Sequence, residues 1–238
     1  MKTLIIFNRN QENLNLLIDS LEKNVLGNND IVIFDQNRIL QKDNFNYPVI
    51  SVDNLKNQMI TLIKEDLNSN YTIIDENKFC YDKFNLDDID NILNKEEEIF
   101  CFSLSLGKNI TFCSNMNCDN VFIPIKENNN IIYWDWSVHY MDFGYPLNLD
   151  GTVYRGKELI KFIKNINFEN SLELENGLQI FDNYPKNIMC CFNKNKFIEI
   201  IFDNKEKISK FNINDLKIDR TKFIIKVKDN EIIDQISN

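Results

Sequence analysis

The chain has 238 residues, 43% of them hydrophobic, with 27 Lys and Arg against 36 Asp and Glu for a net charge of -9. That length and apolar content suffice for one large core or two intimately packed halves. The acidic balance, with basic residues interleaved among acidic ones, excludes a general nucleic-acid binder, because neutralising phosphates takes clustered Lys and Arg.

Cys80, Cys101, Cys113, Cys118, Cys190 and Cys191 form no C-x-x-C pair, and Cys113 with Cys118 lacks the matching second pair of a zinc site, so reduced structural thiols are expected. No stretch reaches the about 20 apolar residues of a membrane span. The opening "MKTLIIFNRN" lacks the long apolar core and small-residue cleavage site of a signal peptide, so the expected location is the cytoplasm. About one residue in six is Asn and Ala is absent, a compositional bias, so Asn-rich patches such as "ENNNII" are read as composition before function.

In chain order, "TLIIF" (3–7) and "DIVIF" (30–34) are β-branched runs of the kind buried strands carry. Between them Leu14, Leu17, Ile18, Leu21 and Val25 recur at helical steps, with Gly27 where the helix stops. "PVISV" (48–52) predicts a third strand; Leu55, Met59, Leu62 and Ile63 mark a second helix with Asp53 as its N-cap. "YTII" is the fourth strand, and a short helix over about 86–94 follows, capped by Asn85. Then "EIFCFSLSL" and "NIIYWDWSV" read as strands, "GKELIKFIKNI" and "ENSLELENGLQIF" as helices, and "KFIEIIF" and "KFIIKV" as strands of the tail.

Such alternation over the first 75 or so residues is the signature of a wound α/β sheet with parallel strands. Ligands of these sheets gather outside the carboxyl ends of the strands. The informative positions are therefore Asn8 and Arg9, Asp35, Asp53, and Asp75 with Glu76. "NRNQEN" after the first strand contains no glycine, so the dinucleotide fingerprint is missing, and no Walker loop occurs. The phosphates of any nucleotide must be met by something else, and a divalent metal held by carboxylates is the obvious substitute.

The stretches "LIIFNRNQENLNLLIDSL", "IIDENKF", "FSLSLGKNITFC", "WDW" and "DFGYPLNLDGTVYR", in that order, resemble a group of small bacterial and viral glycosyltransferase-like proteins of the GT-A fold. "FENSLELE" is similar to that group's F-x-N-P-N-x-L-E element, with Ser171 in place of the Pro and Leu172 in place of the second Asn. The resemblance implies a GT-A-like nucleotide-diphospho-sugar transferase fold, an α/β/α sandwich with a mostly parallel central sheet. It also implies transfer of a sugar from a nucleotide-sugar donor to a glycan or small-molecule acceptor, usually with Mn2+ or Mg2+. A single domain over 1–238 is expected, with about 1–100 on the donor side and about 101–238 on the acceptor side.

In that fold a D-x-D-like motif after a central strand binds the metal that bridges the donor diphosphate. "DEN" places Asp75, Glu76 and Asn77 there, departing from the pattern at its second and third positions. The other reading makes Asp75 a turn cap and Glu76 a solvated charge. Arg9 is expected to hold the base or diphosphate and Asp35 the base or ribose hydroxyls, each otherwise an ordinary loop charge, and Asp75 the donor. If 134–136 is extended, Trp134 and Trp136 share one face, as a sugar platform or as core.

A transferase of the inverting kind needs a carboxylate to take the acceptor proton, with Asp150 the first candidate and Asp142 the second. Glu175 is a third carboxylate, expected to hydrogen-bond the acceptor. His139 is the sole histidine, and with no G-x-S-x-G in the chain a Ser-His-Asp machine is disfavoured. Against the transferase stands a different class, a catalytically silent nucleotide- or sugar-binding module, motivated by the incomplete D-x-D.

Overall fold

The apolar runs fold as one nine-stranded sheet with helices on both faces. The structure, a computed structural model, describes residues 1–179, 184, 186–202, 224–228 and 231–232. Its first half comprises β1 (Lys2–Phe7), α1 (Gln11–Asn24), β2 (Asp30–Asp35), β3 (Val49–Ser51), α2 (Leu55–Glu65), β4 (Asn70–Asp75), β5 (Lys78–Cys80) and α3 (Leu86–Lys95). The second half continues with β6 (Ile99–Ser103), β7 (Lys126–Asn128), β8 (Ile131–Asp135), β9 (Asp150–Arg155), α4 (Gly156–Asn165), α5 (Ser171–Gln179), β10 (Ile188–Phe192), β11 (Phe197–Phe202), β12 (Ile224–Lys228) and β13 (Glu231–Ile232). The expected tail strands coincide with β11 and β12; Lys222 and Phe223 of "KFIIKV", and Ile180 and Phe181 of the predicted last helix, lie outside the described residues.

Side chains alternate across the strands and so supply both layers. Leu4, Ile6, Val32, Phe34 and Ile73 join one core with Leu55, Met59 and Ile63 of α2, Leu159 and Ile163 of α4, and Leu174 and Leu178 of α5. Their neighbours Ile5, Phe7, Ile31, Ile33 and Ile74 join the other, with Leu14, Leu17 and Leu21 of α1 and Ile89 and Leu93 of α3. The α/β/α sandwich is thus set by a period of two in the strands and of three to four in the helices.

Asparagines start α1, α2 and α3: Asn10, Asn54 and Asn85 each accept the N–H of a first-turn residue with the side-chain oxygen. Asp53 is therefore not the cap of α2; it pairs with Arg38 on the surface. Val25 lies just past the end of α1, in extended backbone that pairs with Phe84, because the β-branched residue leaves the helix before Gly27 turns the chain.

Strand order is β7-β8-β10-β6-β9-β4-β1-β2-β3. The four strands at one end, β4, β1, β2 and β3, are parallel as the alternating pattern predicts. Across the whole sheet the pairing is mixed: β9 runs antiparallel to both β4 and β6, β10 is parallel to β6, and β8 and β7 add on antiparallel. A second sheet, β13-β12-β11-β5, stands beside it.

Strand β9 runs against β4 and therefore starts where β4 ends. Asp150, its first residue, lies opposite Ile74, next to Asp75 at the carboxyl end of the parallel strands. An extra residue between Asp150 and Val153 bulges the strand there, and Gly151 absorbs it at φ 88°. A Cβ at 151 would have its nearest atom 3.4 Å away, an ordinary contact, so the demand for glycine is conformational rather than steric. Gly151→Ala is expected to lower stability by about 1–2 kcal/mol, the cost of a left-handed L-residue, with the urea midpoint as the measurement.

Candidate active site

The carboxyl ends of β1 and β4 and the start of β9 converge with α5 around two cavities. One, of about 580 Å³, is lined by polar groups: Asn8, Arg9, Asn10, Asn13, Asn37, Glu76 and Asn77, closed by Asn170, Ser171, Leu172 and Glu199. The second, of about 210 Å³, is bordered by Ser103, Ser105, Cys113, Asp142, Tyr145, Asn148, Asp150, Glu175 and Gln179 among others. Helix α5 serves both, with Ser171 and Leu172 on the first and Glu175 and Gln179, about one turn on, on the second.

Lys78 lines neither cavity; it is buried, with a side chain 4% exposed. Its Nζ donates to Asp150 Oδ1 at 2.6 Å and to Glu199 Oε2 at 2.8 Å. Register explains the meeting: β5 pairs antiparallel with β11 so that Lys78 lies opposite Glu199, while β9 brings Asp150 from the other side. Burial alone would lower the Lys78 pKa, but the charges of Asp150, Glu199 and Asp75 outweigh it and hold the pKa well above the usual lysine value. The ammonium is thus a permanent charge among carboxylates.

Burial pushes Asp75 up to about 6, with Lys78 opposing and Glu199 adding to the rise. Glu175 is pushed up to about 7 by burial first and then by the charge of Asp150. Burial likewise raises Asp142, although hydrogen bonds from Asn120 (2.8 Å) and Cys113 (3.2 Å) work against it. Asp150 and Glu175 thus border one cavity with different partners, and Asp142 stands on the same cavity inside a short turn of 3-10 helix, Met141–Gly144.

The "DEN" side chains have specific partners. Glu76 is 4% exposed and turns back onto β1, its two oxygens accepting the backbone N–H groups of Asn8 (3.2 Å) and Arg9 (3.3 Å). Asn77 Oδ1 accepts from Asn13 Nδ2 at 2.8 Å, and Asp75 Oδ1 accepts the Asn77 N–H at 2.9 Å in an Asx turn. With Glu76 and Asn77 committed and an ammonium among the neighbouring carboxylates, this donor set does not fit a resident divalent metal. Among the described residues no group of three or more His, Cys, Asp or Glu side chains is arranged to hold one.

Elsewhere the sequence candidates divide. Arg9 lines the larger cavity. Asp35 is 1% exposed and accepts the Leu40 N–H at 2.8 Å, ordering the loop after β2; its Oδ1 is buried without a partner, and it reaches neither cavity. The two tryptophans do not share an open face. Trp134 is fully buried and donates to the Phe143 carbonyl, while Trp136 leaves the strand in a 3-10 turn, packs on Tyr184 and donates to the Lys186 carbonyl. The sugar-platform reading fails for Trp134 because β8 is flanked on both edges and its Trp face is covered by core. His139 is structural: Nδ1–H donates to the Asp135 carbonyl and Nε2 accepts the Ile123 N–H. All six cysteines are unbridged.

Sequence reasoning does not single out Lys78 and Glu199. The available signal is a glutamate inside the apolar run "KFIEIIF" and a lysine directly after "DEN", charges that an interior tolerates only as partners.

No protein-family profile matches the chain. The chain is similar to the bifunctional glycosyltransferase pgtA of Dictyostelium discoideum, 28% identical over 151 residues, which is 57% of this chain and 20% of that protein. It therefore spans about a fifth of that relative's length. Among solved structures, S. aureus TarS aligns with a TM-score of 0.48 at 13% identity, over 83% of this chain and 36% of that one. S. aureus TarS 1-349 in complex with UDP aligns with a TM-score of 0.49 at 13% identity, over 83% and 60%. No helix among the described residues is long and apolar enough to cross a membrane.

Two tests address the site directly. Glu76→Ala leaves two backbone donors without an acceptor and is expected to cost about 2 kcal/mol in denaturant unfolding, Glu76→Gln markedly less. Glu175 has a folded pKa of about 7 against an ordinary 4.5, so the folded protein holds a proton that the unfolded chain releases. That contribution to stability is present at low pH and lost as pH rises from about 4.5 through 7. The fall in the urea midpoint over this range should be shallower in Glu175→Gln.

Proposed function

We propose that the chain is a GT-A-like glycosyl-transferring unit that moves a sugar from a nucleotide-diphosphate donor to a hydroxyl acceptor. The observation that carries the reading is the placement of Asp150 and Glu175 on one small cavity at the carboxyl end of the parallel strands, beside a larger polar cavity. The likeness to a glycosyltransferase of Dictyostelium supports it. The donor lies in the larger cavity, where Arg9 supplies a cation and Asn8, Asn10, Asn13 and Asn37 supply amides for phosphate, ribose and base. The acceptor enters the smaller one.

There Glu175 is the general base. Its pKa of about 7 is matched to removing a hydroxyl proton near neutral pH. As the acceptor oxygen attacks the anomeric carbon, Glu175 takes its proton, and the bond from that carbon to the phosphate oxygen breaks with its electron pair leaving on the nucleoside diphosphate. Asp150, with one oxygen already held by Lys78, orients the acceptor, and Asp142 borders the same cavity.

A thermal-shift screen of UDP-, GDP-, CMP- and dTDP-sugars, followed by transfer assays with the donor that stabilises the protein, tests the reading. Glu175→Gln should lower kcat at least about a hundredfold and remove an acidic limb near pH 7, with donor stabilisation retained. Stabilisation by a donor with no turnover across a broad acceptor set would instead assign a silent binding module.

A further inference from the structure

We propose that the Lys78 ammonium is a built-in cation that takes the place of a divalent metal at the carboxyl end of β4, so that the protein binds its donor without one. The proposal rests on the reading of the chain as a nucleotide-sugar-dependent transferase, and it starts from the misfit between "DEN" and a metal.

The charges of four carboxylates act on this point: Asp75 ends β4, Asp150 begins β9, Glu199 lies on β11 and Glu175 on α5. Clustered carboxylates demand a counter-charge, which a hard cation with oxygen ligands can provide. Here a side chain provides it. Nζ is bonded to Asp150 and Glu199 at 2.6 and 2.8 Å, and the charge of Asp75 also acts on it. Such a position is costly for an ammonium unless its partners are charged, and breaking a buried pair by removing one member is strongly destabilising.

The geometry also gives the ammonium work to do. Glu199 lines the larger cavity and Asp150 the smaller, so Lys78, which lines neither, is bonded to one wall residue of each. An ammonium carries three donor hydrogens, and two carboxylates account for two of them. From there its charge acts through Asp150 and Glu199 on the leaving diphosphate, where negative charge builds as the sugar departs. A fixed ammonium is a point charge suited to a phosphate, needs no loading, and cannot be removed by a chelator.

The same arrangement explains how an incomplete D-x-D can be tolerated. Glu76 holds the Asn8 and Arg9 backbone in place, and Asn77 holds Asn13, so two of the three motif positions shape the donor cavity rather than coordinate an ion. Lys78, the next residue, brings the charge. Its role is that of a positioning residue toward Asp150 and Glu199.

The test is Mn2+ binding followed by electron paramagnetic resonance in the full chain without donor, in wild type, Lys78→Gln and Lys78→Arg. Wild type and Lys78→Arg are expected to leave Mn2+ free in solution, whereas Lys78→Gln frees Asp150 and Glu199 to bind it about tenfold more tightly or better. Tight Mn2+ binding by wild type would overturn the proposal, as would a folded Lys78→Gln that gains none. Should Lys78→Gln fail to fold, the donor thermal shift of wild type with and without EDTA decides: an unchanged shift supports the built-in cation, and a shift abolished by EDTA overturns it. Absence of any donor shift would defeat the proposed function while the Mn2+ titrations still report on the cluster.

Discussion

An ammonium taken out of water costs several kcal/mol unless carboxylates receive it, and Lys78 is almost wholly out of water. Everything at the carboxyl end of the sheet is arranged around that requirement. The lysine is brought in by the short strand after β4, one partner by a strand of the second sheet, the other by the antiparallel strand inserted into the main sheet. Three segments distant in the chain are thereby tied at one point, and the walls of both cavities are held in register with one another.

The inserted strand is the second element of the design. A purely parallel sheet presents only strand ends and loops above its carboxyl edge. By running the other way, β9 presents the beginning of a strand there, with a bulge and a left-handed glycine directly after Asp150. A carboxylate anchored on a central strand is more precisely placed than one on a loop. Helix α5 then lays a second carboxylate, Glu175, over the same cavity, in an environment unlike that of Asp150: one is salt-bridged, the other pushed toward neutrality.

Much of this arrangement is legible in the sequence. The strands, the helix stripes and the cap at Asn85 follow from local periodicity, and the rule that ligands gather beyond strand ends points to Arg9, Asp75 and Glu76, while the family resemblance adds Asp150 and Glu175. Asp35 and Trp134 sit where their elements predict yet face inward, Asp35 to order the loop at Leu40 and Trp134 into the core around Phe143. Glu76 is the subtler case, correctly placed at the strand end but tied to the backbone of the loop after β1.

By itself the sequence determined the alternation of strand and helix, the two-sided burial of the parallel strands and the set of carboxylates available at their ends, because each depends on residues within a few positions of one another. Only the tertiary structure decided which charges meet. Lys78 finds Asp150 and Glu199 at separations of 72 and 121 residues, through an antiparallel insertion and a cross-sheet register that no local pattern encodes. The physical reason is that periodicity specifies which face a side chain takes, whereas the partner of a buried charge is set by strand order.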